Sequence, residues 1–517
     1  MLIHINGAKC VGIDAVPVTV EVNIERGIGI YLVGLADAAV KESLLRTTTA
    51  LESLGFQIPG KKIVINLAPA DLRKNGSGYD LPIALGIIAA SGQHALPGAG
   101  KYIIMGELGL DGSVRAIPGA LPFADLAVKS GFEGIILPED SALEAVEFRD
   151  SKVFGVRTLA DVTRILDEKE DPSDLLIWNT TSYNRIRRAE ARSARPADII
   201  DFADIIGQEG AKRGVEIAAA GGHNLIMVGA PGSGKSSLAK AMAGILPPMT
   251  TEESLVTSKI YSIVGKGPRH GLIRERPFRS PHYSASIPAI IGGGGGDGII
   301  PGEVSLACHG VLFMDEFGQT PKSVIEALRG PIEDRCVTIS RLKGKIEYPA
   351  SFMLVAASNP CPCGFWGEGD RCTCTPAQRQ NYLSKLSGPI MDRIDLQVWM
   401  RSVESSRIVR SKKAEPSAEV ARRVLKARIA QKHRFAAESI GCNAEMSNKL
   451  IERYCPLTDE CAGTMEKIMS SMKLSMRAYF RIIKVARTIA DLEGADDIKA
   501  AHLLEAASFR FLDRTVK

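Results

Sequence analysis

Gly229-Ala230-Pro231-Gly232-Ser233-Gly234-Lys235-Ser236 satisfies G-x-x-x-x-G-K-[ST] at every fixed position, and those residue types suit the binding of a nucleotide's phosphates. The glycines let backbone N–H groups turn inward, the Lys235 amine reaches the terminal phosphates, and the Ser236 hydroxyl can ligate Mg²⁺. A pair of acids, Asp315-Glu316, follows about eighty residues later. Asp315 suits the Mg²⁺ that bridges the phosphates, and Glu316 suits polarising a water that attacks them. A third group is Cys361-Pro362-Cys363 and Cys372-Thr373-Cys374, two C-x-C pairs around a loop rich in Gly, Asp and Arg. Their four thiolates are enough for a tetrahedral Zn²⁺ site, although the spacing is tighter than C-x-x-C. So short and hydrophilic a loop cannot bury all four as core residues, which favours zinc over free thiols.

These groups need elements to hold them. Asn224-Leu225-Ile226-Met227-Val228 reads as a short buried strand, and the run from Ser237 to Ala243 as a helix whose N-terminus faces the anion. The nucleotide-holding set is therefore Gly229, Ala230, Pro231, Gly232, Ser233, Gly234, Lys235, Ser236 and Ser237. Val311-Leu312-Phe313-Met314 reads as the strand that delivers Asp315 and Glu316, and Phe352 to Ala357 as another that ends at Ser358-Asn359-Pro360. Strands alternate with helices from about 203 to 400, as in an open parallel sheet. Residues 1–165 mix α and β, 166–202 read as a charged and then basic linker, and 401–517 read as helical. The fold class expected is α/β and multidomain.

Between Glu316 and Asn359, Val337-Thr338-Ile339-Ser340 and Ile346-Glu347-Tyr348 flank the basic tip Arg341-Leu342-Lys343-Gly344-Lys345. That is a hairpin. Its tip reads equally well as a contact for nucleic-acid phosphates or as a charged turn kept polar for solubility.

Hydrophobic residues make up 45% and charged residues 24% of the 517, so the chain is globular rather than disordered. No apolar run approaches the roughly 20 residues that cross a bilayer, and the start of the chain lacks the regions of a signal peptide, so a cytoplasmic protein without a membrane partner is expected. The formal charge of +5 permits a polyanionic partner without demanding one. Cys10, Cys308, Cys336, Cys442, Cys455 and Cys461 do not cluster and read as structural, and His223 and His309 receive no catalytic role. Arg422, Arg423, Lys426, Arg428, Lys432 and Arg434 spread around a helix that begins near Ala418 and read as a solvated surface rather than a DNA face.

The phosphate loop, Met314-Asp315-Glu316, Ser358-Asn359-Pro360 and Met391-Asp392-Arg393-Ile394-Asp395 occur in the order found in AAA+ ATPases. Over nearly its full length the chain resembles their magnesium-chelatase-like group known as YifB or ComM. The resemblance implies a Lon-protease-like N-terminal domain, an AAA+ core and a C-terminal helical lid. It implies ATP as substrate with Mg²⁺, Asn359 as sensor 1, Arg393 as a finger reaching a neighbouring subunit's nucleotide, and Arg477 as sensor 2. Read alone, Arg393 fits a surface ion pair with Asp392 or Asp395, and Arg477 an ordinary basic helix face. A finger requires a homo-oligomer, and the resemblance implies a hexameric ring. It also likens the hairpin to a pre-sensor-1 hairpin, with Arg341, Lys343 and Lys345 toward single-stranded or branched DNA in a central pore. The implied activity is an ATP-driven helicase or branch-migration motor in DNA uptake and recombination. The alternative is a chelatase-type motor that remodels a protein client or serves metal insertion. Gly78 and Leu121 appear where the Lon-like fold would carry its nucleophile and lysine, so peptidase chemistry is expected to be absent.

Overall fold

The computed structural model describes residues 2–190, 200–294, 299–341, 344–385, 390–402 and 414–512, with the side chains of 190, 341, 344 and 385 left aside. The first core forms around Lys62–Ala68, where alternation puts Ile63, Ile65 and Leu67 on one fully buried face. This strand sits between Asp14–Glu25 and Gly29–Val33, and Leu2–Val11 completes a four-stranded sheet. The helix Asp80–Ala90 is apolar all round and is buried at every position. A three-stranded parallel sheet of Tyr102–Ile104, Gly134–Pro138 and Lys152–Val156 shares the same core. Within the stretch expected as a charged linker, short helical segments form between Ser173 and Glu190, because Leu175, Leu176, Trp178, Tyr183 and Ile186 interrupt its charges and pack against the first core.

The second core is built on a five-stranded parallel sheet in the order Phe278–Arg279, Val311–Met314, Met353–Ser358, Leu225–Gly229, Leu396–Met400. The strands Leu225–Gly229, Val311–Met314 and Met353–Ser358 are buried at every residue, which explains their unbroken apolar runs. Register then decides the chemistry. Val228 lies beside Ser358, and Met314 beside Ala356. The phosphate loop, Asp315-Glu316 and Asn359 therefore leave the sheet together at its C-terminal edge, where open α/β sheets bind ligands.

One sheet face packs against the helices Glu209–Gly221, Ser417–Arg434, Asp459–Met472, Met476–Glu493 and Ala500–Ser508 in a continuous core. Core and lid are also tied by buried polar groups. His223 Nδ1 lies 3.3 Å from Asp395, its Nε2 lies 2.8 Å from the Thr488 hydroxyl, and Arg481 pairs with Asp395. Burial pulls the His223 ring below its ordinary value. The Asp395 carboxyl is held far below the carboxylate range by Arg481 and His223 despite complete burial.

The N-terminal region docks on the second core through the helix Thr251–Ile263. Lys259, 4% exposed, reaches both Asp14 at 2.9 Å and Asp125 at 2.6 Å. The Gly119 N–H donates to Ser262 O at 3.0 Å, and the Ser262 hydroxyl donates to Glu144 at 2.5 Å.

Candidate nucleotide site

The loop after Val228 turns through Gly232 (φ +77°) and Gly234 (φ +90°), a left-handed geometry that glycine adopts without strain. A Cβ at either glycine would meet nothing within 4 Å, so open space adjoins the loop at both positions. Lys235 opens the helix Lys235–Ala243. Its Nζ donates to Gly229 O at 2.7 Å and Ala230 O at 2.9 Å and lies 3.4 Å from Asn359 Oδ1. Burial pulls this amine below its ordinary value, with Asp315 and Glu316 opposing. The Ser236 hydroxyl donates to Asp315 Oδ2 at 2.9 Å. Ser236 and Asp315 thus stand together, as two ligands of one Mg²⁺ must. Glu316 has φ +48°, a left-handed conformation uncommon for a residue with a Cβ. Such backbone persists only where its surroundings impose it.

Arg393 is 6% exposed, and its Nη2 lies 2.6 Å from Glu333 of the same chain. Glu333, more distant along the chain than Asp392 or Asp395, is thus an ion-pair partner of Arg393. Arg477 is exposed and pairs at 3.4 Å with Asp392. The hairpin forms from Cys336–Arg341 and Gly344–Pro349, pairing Ser340 with Lys345. Lys345 is exposed, Lys343 lies outside the described residues, and Arg341 is placed by its backbone alone.

The four sulfurs of Cys361, Cys363, Cys372 and Cys374 all lie within 4.8 Å of one another. Cys361 is 3.3 Å from Cys363 and 3.9 Å from Cys372, and Cys363 is 3.7 Å from Cys372. Four sulfurs at zinc–sulfur distance sit about 3.8 Å apart in a tetrahedron, so the set fits Zn²⁺. Backbone N–H of Phe365 leads in drawing the Cys363 thiol down to about 5, which readies it as a thiolate. The insert leans on the nucleotide loop. A Cβ at Gly364 would stand 2.9 Å from Pro231 and 3.9 Å from Asn359. Trp366 meets Trp399 edge-to-face at 5.6 Å, so it anchors the insert to the neighbouring strand. Arg371 and Arg379 lie over the Phe365 and Trp366 rings at 4.2 and 5.9 Å.

Residues 201–408 match the family of magnesium chelatase, subunit ChlI. Residues 20–141 match subunit ChlI of Mg-chelatase, and 414–510 its C-terminal region. The chain is 41% identical over 516 residues to YifB of Salmonella typhimurium, covering 99% of this chain and 97% of that protein. It is 40% identical over 510 residues to competence protein ComM of Haemophilus influenzae, covering 98% and 97%. The chain belongs to the YifB/ComM family.

This family carries a magnesium-chelatase-like AAA+ core of the ATPase class. A stretch of 150 residues is also 25% identical to the archaeal Lon protease of Methanocaldococcus jannaschii, covering 29% of this chain and 23% of that protein, and this likeness falls at the N-terminus. A Cβ at Gly78 would meet the apolar ends of Met105 at 3.1 Å and Ile117 at 3.5 Å, and Leu121 is fully buried. Gly78 thus faces apolar groups, and the Leu121 N–H donates to the Ser262 hydroxyl at 3.3 Å.

Within this member of the YifB/ComM family, Gln208 completes the nucleotide loop without any sequence signal. Its amide donates to Ser233 O at 3.1 Å and Arg401 O at 2.6 Å, tying the loop to the end of the strand Leu396–Met400. Tyr382 is a second such residue, 3.3 Å from the Ser358 hydroxyl. The basic lid helix is only partly a solvated face. Arg434 pairs with Asp491, Arg423 reaches Glu216, and Arg428 donates to Ala219 O at 3.2 Å. Each is taken up by a partner distant in sequence. No helix among the described residues is long and apolar enough to cross a membrane.

Proposed function

We propose that this protein is an ATP-hydrolysing ring motor acting on single-stranded or branched DNA, a helicase or branch-migration translocase of DNA uptake and recombination. The arrangement that carries the proposal is the convergence of Lys235, Ser236, Asp315, Glu316 and Asn359 at one sheet edge, with a basic hairpin between the strands that bear the acids and the sensor. In this reading Lys235 and the loop N–H groups hold the phosphates. Ser236 and Asp315 hold Mg²⁺, which neutralises charge on the phosphate oxygens. Glu316 accepts a proton from the water that Asn359 helps to orient. Arg393 turns from Glu333 toward a neighbouring subunit's nucleotide in a hexamer, and Arg477 acts from the lid. Arg341, Lys343 and Lys345 meet DNA phosphates in the pore. Zn²⁺ on Cys361, Cys363, Cys372 and Cys374 fixes the insert against the nucleotide loop.

Support for DNA as the partner comes from the names of two relatives. One is competence protein ComM, and the other is DNA repair protein RadA of Haemophilus influenzae, 29% identical over 114 residues, 22% of this chain and 24% of that protein. The chelatase family names favour the second reading, a motor that remodels a protein client or serves metal insertion. The test is ATP-dependent branch migration on labelled four-way DNA by wild type and Lys235→Ala. Movement by wild type alone is expected. ATP hydrolysis indifferent to DNA, without movement, would favour the protein client.

A further inference from the structure

A small, half-open cavity of about 50 Å³ lies behind the sheet, at the end opposite the nucleotide loop. Its walls come from the segments that enter the strands, including His309 and Arg335, and from the lid residues Arg428, Cys442 and Glu445. Arg276, also in the wall, is neutralised by Glu253 at 2.9 Å and donates to His309 O at 2.6 Å. Two guanidiniums remain. Arg335 donates to Phe352 O at 2.8 Å and Arg428 to Ala219 O, and neither has a carboxylate at ion-pair distance among the described residues. Glu445 lines the same cavity, and its Oε2 is engaged by the Gly441 N–H at 2.7 Å. Burial pushes the Cys442 thiol up, so it adds no negative charge. Arg335 and His309 also hold left-handed backbone, at φ +56° and +58°. Two cations without an ion pair among the described residues, facing one small cavity between core and lid, are an incomplete arrangement.

We propose that this cavity binds a free tetrahedral oxyanion, phosphate in the cell, held by Arg335 from the core and Arg428 from the lid. Its size admits one such ion, and the two guanidiniums supply the forked donors that oxyanions take. A pocket of this volume takes one small ion and leaves no room for the sugars that flank a phosphate within a polynucleotide chain. Occupancy would link lid and core at a point remote from the nucleotide, whatever the motor's substrate.

The test is thermal melting of the full chain with saturating ADP and Mg²⁺, titrated with inorganic phosphate against chloride at constant ionic strength. A saturable rise of about 2 °C specific to phosphate is expected. Arg428→Gln should weaken the apparent phosphate affinity at least about tenfold, and Arg428→Lys should weaken it less. Arg335→Gln provides an independent variant from the core side. Equal effects of phosphate and chloride, or a phosphate response unchanged in both glutamine variants, would overturn the proposal. A poly-dT oligonucleotide should not compete, and competition would overturn the assignment to free phosphate.

Discussion

Arg393 Nη2 lies 2.6 Å from Glu333 Oε1 in the same chain, and only 6% of Arg393 is exposed. In the proposed ring, a guanidinium that serves a neighbour's nucleotide must leave this partner, which would make the pair a latch for assembly to open. Removing Arg393 and removing Glu333 should therefore have opposite consequences. Arg393→Ala is expected to lower ATP turnover by about 10³-fold or more, whereas Glu333→Gln should retain it and bring full turnover at lower protein concentration. Turnover measured against protein concentration checks this. Equal loss in both variants would make the pair a structural ion pair only.

The two ends of the nucleotide site should separate binding from turnover. Lys235 spans the loop carbonyls and Asn359, so Lys235→Ala is expected to abolish binding of a fluorescent ATP analogue. Among the described residues the Glu316 side chain makes no hydrogen bond to loop or helix, so Glu316→Gln should bind nucleotide normally and hydrolyse it at least about 100-fold more slowly. Turnover that survives in Glu316→Gln would move the base elsewhere.

Lys345 stands exposed on the hairpin beside the tip. Replacing Lys343 and Lys345 together by Ala is expected to leave basal hydrolysis within about twofold and to remove its stimulation by DNA, with a shallower salt dependence of binding. An unchanged response to DNA in an ATPase assay would take the hairpin out of the mechanism.

Metal analysis of the purified chain should find about one zinc, and stripping it with a chelator should lower the melting temperature. Gly364 packs on Pro231, so loss of the metal should also weaken nucleotide affinity, which a structure-free role for the cysteines would not do. Cys363→Ser with Cys372→Ser should reproduce both effects without chelator. Four free thiols on a metal-free chain of unchanged stability would remove the site.

Glu144 is half-buried where the N-terminal region meets Ser262, and burial raises its carboxyl from 4.5 to about 7. Asp140, Arg185 and Arg269 share the adjoining cleft. A carboxyl whose folded value is raised binds its proton more tightly in the folded protein. Its contribution is complete below about 4.5 and is lost as pH rises through 7. Thermal melts from pH 5 to 8 are expected to show declining stability across that window, by at most about 1.4 kcal/mol per pH unit. Glu144→Gln should flatten the slope, and an unchanged slope would place the titration on another group.

The legible parts of this protein are those whose geometry is local. A phosphate loop needs only its own glycines, Lys235 and the strand and helix on either side, so eight consecutive residues suffice to reveal it. Asp315-Glu316 and the two C-x-C pairs are readable for the same reason, since an apolar run or a two-residue spacing sets where the side chains emerge. The hairpin and the α/β alternation follow from periodicity. Tertiary structure alone decided what lies across packed faces. Arg393 pairs with Glu333, sixty residues earlier in the chain. Gln208 closes the nucleotide loop from outside every motif, and Lys259 joins Asp14 to Asp125 from about 245 and 134 residues away. Arg428 looks like one more basic residue on a helix until Arg335 is brought opposite it around a cavity. Such pairings depend on which faces the apolar cores bring together, and a charge gives no sign in the sequence of the group it will meet after packing.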